Sequence, residues 1–115
     1  MAARGGVKGG WDFAYSGSND IEEVAWYYEN SYIREFGYEG THNVGTKQEN
    51  IAGLYDMSGN VWEWCWSTWS EDSSNRVLRG GSYGNDDNLC AVSYRSDFNP
   101  SLMSIDVGFR VCRGL

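Results

Sequence analysis

Gly53-Leu54-Tyr55-Asp56-Met57-Ser58-Gly59-Asn60-Val61-Trp62-Glu63-Trp64 is the stretch that decides how this chain folds. Gly59-Asn60 is a turn signal. After it, Val61, Glu63 and Cys65 alternate with Trp62, Trp64 and Trp66. That period of two predicts a strand with three indoles on one face. An indole stripe suits carbohydrate stacking or a core. In a small, glycine-rich chain the core reading is favoured, because large rings bury much area per residue. Glu63 lies inside this apolar run. If buried, it should meet an arginine or a backbone donor, which makes it a structural partner rather than a catalytic acid.

Downstream, residues 67–75 read as an exposed loop and Val77-Leu78-Arg79 as a strand. Gly80-Gly81 marks a turn or a close backbone approach. The spacing of a phosphate-binding loop is absent, so a nucleotide cradle is rejected. Cys90-Ala91-Val92-Ser93-Tyr94-Arg95 predicts another strand, Asn99-Pro100 a turn, and Val107 through Cys112 a closing strand. Upstream, residues 1–18 read as a loop with a short extended piece, in which Trp11, Phe13 and Tyr15 alternate with polar or small residues. Ser18-Asn19-Asp20 signals a helix start, with Asn19 as cap and Glu22 completing a capping box. Ile21, Val24, Ala25 and Tyr28 would share its buried face. Gly37 and Gly40 end any regular element, and residues 37–50 read as an irregular loop. The single histidine, His42, sits beside Thr41 and Asn43 and reads as a hydrogen-bonding loop residue rather than a general base. The fold class is α+β, mostly strand and loop in its second half.

With 115 residues this is one domain that leans on its aromatics: 6 Trp, 8 Tyr and 4 Phe. The formal charge is -7, from 16 acidic against 9 basic residues, and no basic run occurs. That balance argues against nucleic acid or an anionic membrane as partner. No segment resembles a membrane span, a signal peptide or a lipidation motif. Three cysteines are too few for a disulfide scaffold and lack zinc-site spacing. Cys90 and Cys112 fall on two predicted strands and are candidates for a bridge if their Cβ geometry allows it. Cys65 reads as a buried thiol.

Taken together, Ala2-Ala3-Arg4-Gly5-Gly6, Tyr15-Ser16-Gly17-Ser18, Val44-Gly45, the Gly53 to Trp64 block, Arg79-Gly80-Gly81-Ser82 and Gly108-Phe109-Arg110 resemble the formylglycine-generating-enzyme, or sulfatase-modifying-factor, family. The resemblance implies a reduced C-type-lectin-like fold with a short, twisted antiparallel sheet and long loops. It further implies that residues 1–115 correspond to the C-terminal half of a family domain. A partner or second copy would then cover an apolar edge. Family oxidases carry two cysteines after the Gly-Gly-Ser-aromatic block. Here the first position falls near Asn85, which has no thiol, and the second near Cys90, with Cys112 as its natural partner. Thiol-oxidase chemistry through copper(I) is therefore not expected. One histidine cannot supply the cluster of the iron-dependent sulfoxide synthases. The family also suggests calcium, with Asn50, Ile51 and Asp56 as oxygen ligands. Otherwise no cofactor is expected.

The last third is similar to the variable proteins of diversity-generating retroelements, found in phages and bacteria. Arg79-Gly80-Gly81-Ser82, Arg95, Pro100 and Gly108-Phe109-Arg110 would be fixed. Tyr83, Asn85, Asp87, Asn88, Ser93, Tyr94, Ser96, Asp97, Phe98, Ser101, Leu102, Ser104, Ile105 and Asp106 would be the changeable ligand-binding positions. Adenine substitution in an asparagine codon reaches Tyr, Asp, Ser, Phe, Leu and Ile without a stop codon, and this segment holds that mixture. Apolar side chains in a polar loop suit a recognition patch. The expected function is a non-catalytic display module for a protein or cell-surface ligand, with a glycan as a further candidate, on a phage particle or bacterial surface. The alternatives are a fixed-sequence binding or structural member, in which Phe98, Leu102 and Ile105 pack a long loop onto the sheet, and an enzyme related to the thiol oxidases.

Overall fold

A computed structural model describes residues 2–4 and 12–113. The Gly5-Gly6 end of the first block and Trp11 lie outside the described residues. The elements are α1 (Ile21–Val24), β1 (Tyr32–Ile33), β2 (Tyr38–Glu39), β3 (Trp62–Thr68), β4 (Arg76–Arg79), β5 (Arg95–Phe98) and β6 (Val107–Gly108). Single 3₁₀ turns span Ala2–Arg4 and Asp87–Cys90.

The main sheet has the order β5-β4-β3-β6. Strands β3 to β5 are antiparallel neighbours, whereas β6 joins β3 in parallel, pairing Trp62 with Val107 and Glu63 with Gly108. A parallel neighbour requires a long crossover, and here the chain from β3 through β4 and β5 makes it. The residues between β5 and β6 thus run from the end of the sheet beside Thr68 back to the end beside Trp62. The closing strand is shorter than expected, ending at Gly108, and beyond it Arg110 turns its side chain back onto Glu63. Arg110 Nε and Nη2 reach both Glu63 carboxylate oxygens at 2.6–3.0 Å, and Nη2 also donates to the carbonyls of Tyr55 and Asp56 at 2.8 and 3.1 Å. The partner expected for Glu63 is this arginine.

The indole stripe grades from inside to outside. Trp62 is 6% exposed, Trp64 half-buried and Trp66 90% exposed. Val77 and Leu78 on the neighbouring strand are buried as Trp62 is, while the strand's far end is exposed. Trp66 is therefore not a core residue; Arg76 covers its ring at 5.1 Å. A second buried cluster joins Ile21, Val24, Ala25, Tyr27 and Cys90, with Tyr15 against it.

The helix departs from expectation in two ways. Asp20, not Asn19, caps it, accepting from Glu22 N at 3.0 Å, while Asn19 Oδ1 accepts from Ala14 N. It also lasts one turn only. Ala25 is already extended, so the buried ring is Tyr27 and Tyr28 is exposed. Residues 90–95 do not form a strand. Cys90 ends a 3₁₀ turn, and β5 begins at Arg95. Residues 32–39, read as lacking regular structure near Gly37, form the small hairpin β1–β2.

Candidate functional site

The residues expected to bind ligand form three groups around one hub. Gly80 and Gly81 take left-handed backbone (φ 98° and 70°) and deliver Ser82 into the interior, fully buried. The Ser82 hydroxyl lies 2.8 Å from Asn85 Oδ1 and 3.0 Å from Asp106 Oδ2, and its one proton serves one of them at a time. Ser82 N also donates to Asn85 Oδ1 at 2.9 Å. Asn85 and Asp106 therefore hold the frame together from inside the candidate surface. Tyr83 is half-buried between them, and burial, then Asp106, then Tyr38, raise its hydroxyl pKa. Asp87 and Asn88 are exposed on the 3₁₀ turn.

The second group lies on and before β5. Tyr94 packs against Trp62, ring centroids 6.1 Å apart, and Phe98 against Trp64 at 5.9 Å. Asp97 accepts from Asn75 Nδ2 at 2.7 Å, Ser96 is half-buried and Ser93 exposed. Tyr94 and Phe98 are thus supports of the tryptophans as well as surface residues, so alanine at either position will lower stability.

The third group is the loop 99–106. Asn99 opens it, its Oδ1 accepting from Ser101 N at 2.9 Å and its carbonyl from Leu102 N at 3.0 Å. Asp106 closes it, its carbonyl accepting from Trp62 N at 2.7 Å and its carboxylate from the Ser104 hydroxyl. Between these anchors Leu102 is 55%, Met103 97% and Ile105 89% exposed. Leu102 and Ile105 do not pack the loop onto the sheet. Met103 belongs with them, although its codon falls outside the asparagine-derived pattern that singled out its neighbours.

Two of the residues expected to be fixed, Arg79 and Arg95, hold backbone in place, whereas Pro100 and Phe109 are exposed. Arg79 Nη1 reaches the carbonyls of Val92, Ser93 and Tyr94 at 3.5, 3.2 and 3.0 Å. Arg95 donates to Trp69 O at 2.7 Å and lies over its ring at 4.3 Å. His42 stacks on Trp26 at 3.8 Å, and its Nε2 lies 3.0 Å from Ser31 O, a structural loop role.

The calcium set fits poorly. Asn50 Oδ1 accepts from Ala52 N and Leu54 N at 2.9 and 3.2 Å, closing its own turn. Asp56 Oδ2 accepts from Gly45 N, and only its buried Oδ1 lacks a hydrogen-bond partner. Ile51 has an exposed side chain. One free carboxylate oxygen and the Ile51 main-chain carbonyl fall short of the six to eight oxygens calcium requires, so these three residues alone would not complete its cage. Among the described residues, no group of three or more His, Cys, Asp or Glu gathers to hold a metal.

All three cysteines are free thiols. Cys90 is fully buried; Cys112 is exposed and lines an open groove with Cys65 and Arg79. The bridge between Cys90 and Cys112 is therefore absent, and Cys65 is only half-buried. Burial, with Asp87 adding to it, pushes the Cys90 thiol up to about 12. Only thiolates attack disulfide reagents. In the native protein Ellman's reagent should label Cys112 readily and Cys90 not at all, whereas all three thiols should react in urea. Because the folded Cys90 keeps its proton where an unfolded thiol, near 9, has lost it, stability should be full below that value and fall as pH climbs toward 12. A stability curve flat to pH 12 would contradict the burial of Cys90.

Comparison with known proteins places this geometry. The family described as the sulfatase-modifying factor enzyme 1-like domain matches residues 1–115. The chain belongs to that family. Among its relatives, a protein named chaperone protein LppX from Paenibacillus barcinonensis is 37% identical over 97% of this chain and 45% of its own length. The formylglycine-generating enzyme of Thermomonospora curvata is 33% identical over 66% of this chain and 32% of its own. The solved structure of Treponema denticola variable protein 1 superposes with a TM-score of 0.79 at 36% identity, covering 94% of this chain and 42% of that one. The chain thus spans less than half the length of these family members. The α+β, C-type-lectin-like architecture is the family's. Among the described residues no helix is long and apolar enough to cross a membrane.

Proposed function

We propose that this protein is a non-catalytic ligand-binding display module, a variable protein of a diversity-generating retroelement, whose changeable surface lies within residues 83–106. The observation that carries the reading is the loop 99–106. Both its ends are tied down by hydrogen bonds, yet Leu102 and Ile105 point away from the core. Side chains there can change without disturbing the scaffold, as a display loop requires. The likeness to a variable protein supports the same reading. The Asn85 amide and the buried, protonated Cys90 speak against thiol-oxidase chemistry. The ligand is a protein or cell-surface group, with a glycan as the competing class.

A second reading, a fixed-sequence binding member, is favoured by one observation. Asn85, Asp97 and Asp106 are engaged in internal hydrogen bonds, which free variation would break. The two readings separate on sequencing the locus from a natural population together with its flanking DNA. Variation matched to template adenines and concentrated at Asp87, Asn88, Ser93, Ser101, Leu102, Ser104 and Ile105 is the expected result. Uniform constraint across 83–106 would establish the fixed-sequence member. In the purified protein, Leu102→Ser and Ile105→Ser should each alter stability by less than about 0.5 kcal/mol. A loss of several times that would return both side chains to a packing role.

A further inference from the structure

The hairpin β1–β2 lies outside the residues just assigned, yet it shares their foundation. Ser31, fully buried at its base, donates its hydroxyl to Tyr83 O at 2.8 Å and accepts from Gly40 N at 3.2 Å. Tyr28 N donates to Asn85 O at 3.0 Å just before it. The neighbouring Ser82 hydroxyl lies 3.0 Å from Asp106 Oδ2, so the hairpin's base and the end of the loop 99–106 meet at residues 82 and 83. From this rooted base the hairpin lifts three aromatics into solvent: Tyr32 is 57%, Phe36 62% and Tyr38 59% exposed, the last two stacked at 5.8 Å. With Leu102 and Ile105 they are exposed apolar side chains on two segments whose bases meet at Ser82–Tyr83, and such surface marks an interaction site.

Charge selects among the classes of partner. Glu35 and Glu39 lie on the hairpin, and exposed Asp86 and Asp87 follow Tyr83; Arg34 is the hairpin's one cation. In a chain of net charge -7, an aromatic surface with an acidic border repels anions and attracts cations. Lysine and arginine suit it doubly, since their heads pair with carboxylates while their stems and charge lie over tyrosine and phenylalanine rings. We infer that the β1–β2 hairpin is a fixed second wall of the binding surface, and that its occupant is a basic protein segment carrying aliphatic or aromatic side chains. This rests on the reading of loop 99–106 as a display surface. A constant wall beside changeable positions would hold the charge class of the partner while the loop tunes its identity.

The test uses the full chain, labelled with ¹⁵N, and three probes: a synthetic peptide alternating Lys or Arg with Leu or Trp, the same peptide with Glu at every basic position, and maltoheptaose. The basic peptide should shift amides in residues 32–39 and 99–105, with binding weakened by salt. Phe36→Ser and Tyr38→Ser, each exposed and so expected to fold, should each weaken it about tenfold, while Trp66→Ser should leave it unchanged. Equal binding of the acidic peptide, binding of maltoheptaose alone, or no binding of any probe overturns the inference. So does a footprint confined to 99–105, although that outcome leaves the display reading standing. Conversely, a hairpin footprint at a locus without adenine-matched variation removes the retroelement and keeps the basic-peptide surface.

Discussion

Gly59→Ala is expected to leave little folded protein. Gly59 takes left-handed backbone (φ 74°), and a Cβ there would overlap the Trp26 carbonyl oxygen and stand 2.9 Å from both Trp26 N and Ala25 Cβ. None of these atoms can step aside. Trp26 O already accepts from Asn60 N at 2.7 Å, Gly59 N donates to Gly80 O at 2.7 Å, and Ala25 is fully buried. The left-handed conformation costs a side chain about 1–2 kcal/mol, and forcing atoms into a packed site adds about 1–3 kcal/mol. The sum is a large share of the roughly 5–15 kcal/mol that holds a domain together. Gly37→Ala separates the two contributions. Its φ is 76°, but nothing lies within 4 Å of the added Cβ, so only the backbone cost of about 1–2 kcal/mol applies. Urea unfolding followed by circular dichroism reads both. If the two variants lose the same stability, the close approach of the Gly59 turn to Trp26 is not there.

Gly59 also shows what the sequence made legible. Its turn, the strand after it and the need of Glu63 for an arginine or a backbone donor all follow from residue type and period, because each depends on a local pattern or on an energetic demand that has few solutions; that the partner is Arg110 comes from the fold. The features that escaped depend on where the chain goes in space. Tyr28 was placed inward by helical spacing, but α1 ends at Val24, and the extended Ala25 turns Tyr27 in its place. The strand expected over 90–95 reads well by its β-branched and aromatic content, yet the turn Asp87–Cys90 must bury Cys90 beneath Gly81, and pairing resumes only at Arg95. The hairpin's strands are two residues each, too short for any period to declare itself.

The candidate surface was legible as a segment and not as a set of roles. Its mixture of small polar, acidic and apolar residues sets 83–106 apart from the core blocks in composition. Residue type alone did not reveal that Ser82 recruits Asn85 and Asp106 into the frame, or that Asp97 is tied to Asn75. The Ser82–Asp106 and Asn75–Asp97 contacts join side chains distant in sequence, and any Asn or Asp offers the same oxygens whether it faces a ligand or a buried serine.

The second large effect is expected at the inner end of the indole stripe. Trp62→Ala should cost about 3–5 kcal/mol, because its ring is 6% exposed and supports Tyr94 at 6.1 Å. Its backbone N–H also donates to Asp106 O at the end of the loop 99–106, so the cavity would open beside the anchor of that loop. Trp66→Ala, four residues along the same strand, removes a ring that is 90% exposed and touches Arg76; about 0.5–1 kcal/mol is the most that contact supplies. Equilibrium unfolding should therefore separate the two substitutions by several kcal/mol. A Trp62 variant that keeps its stability would mean that the stripe is not the floor of the sheet. The tryptophans would then return to the carbohydrate-stacking role that the core reading displaced.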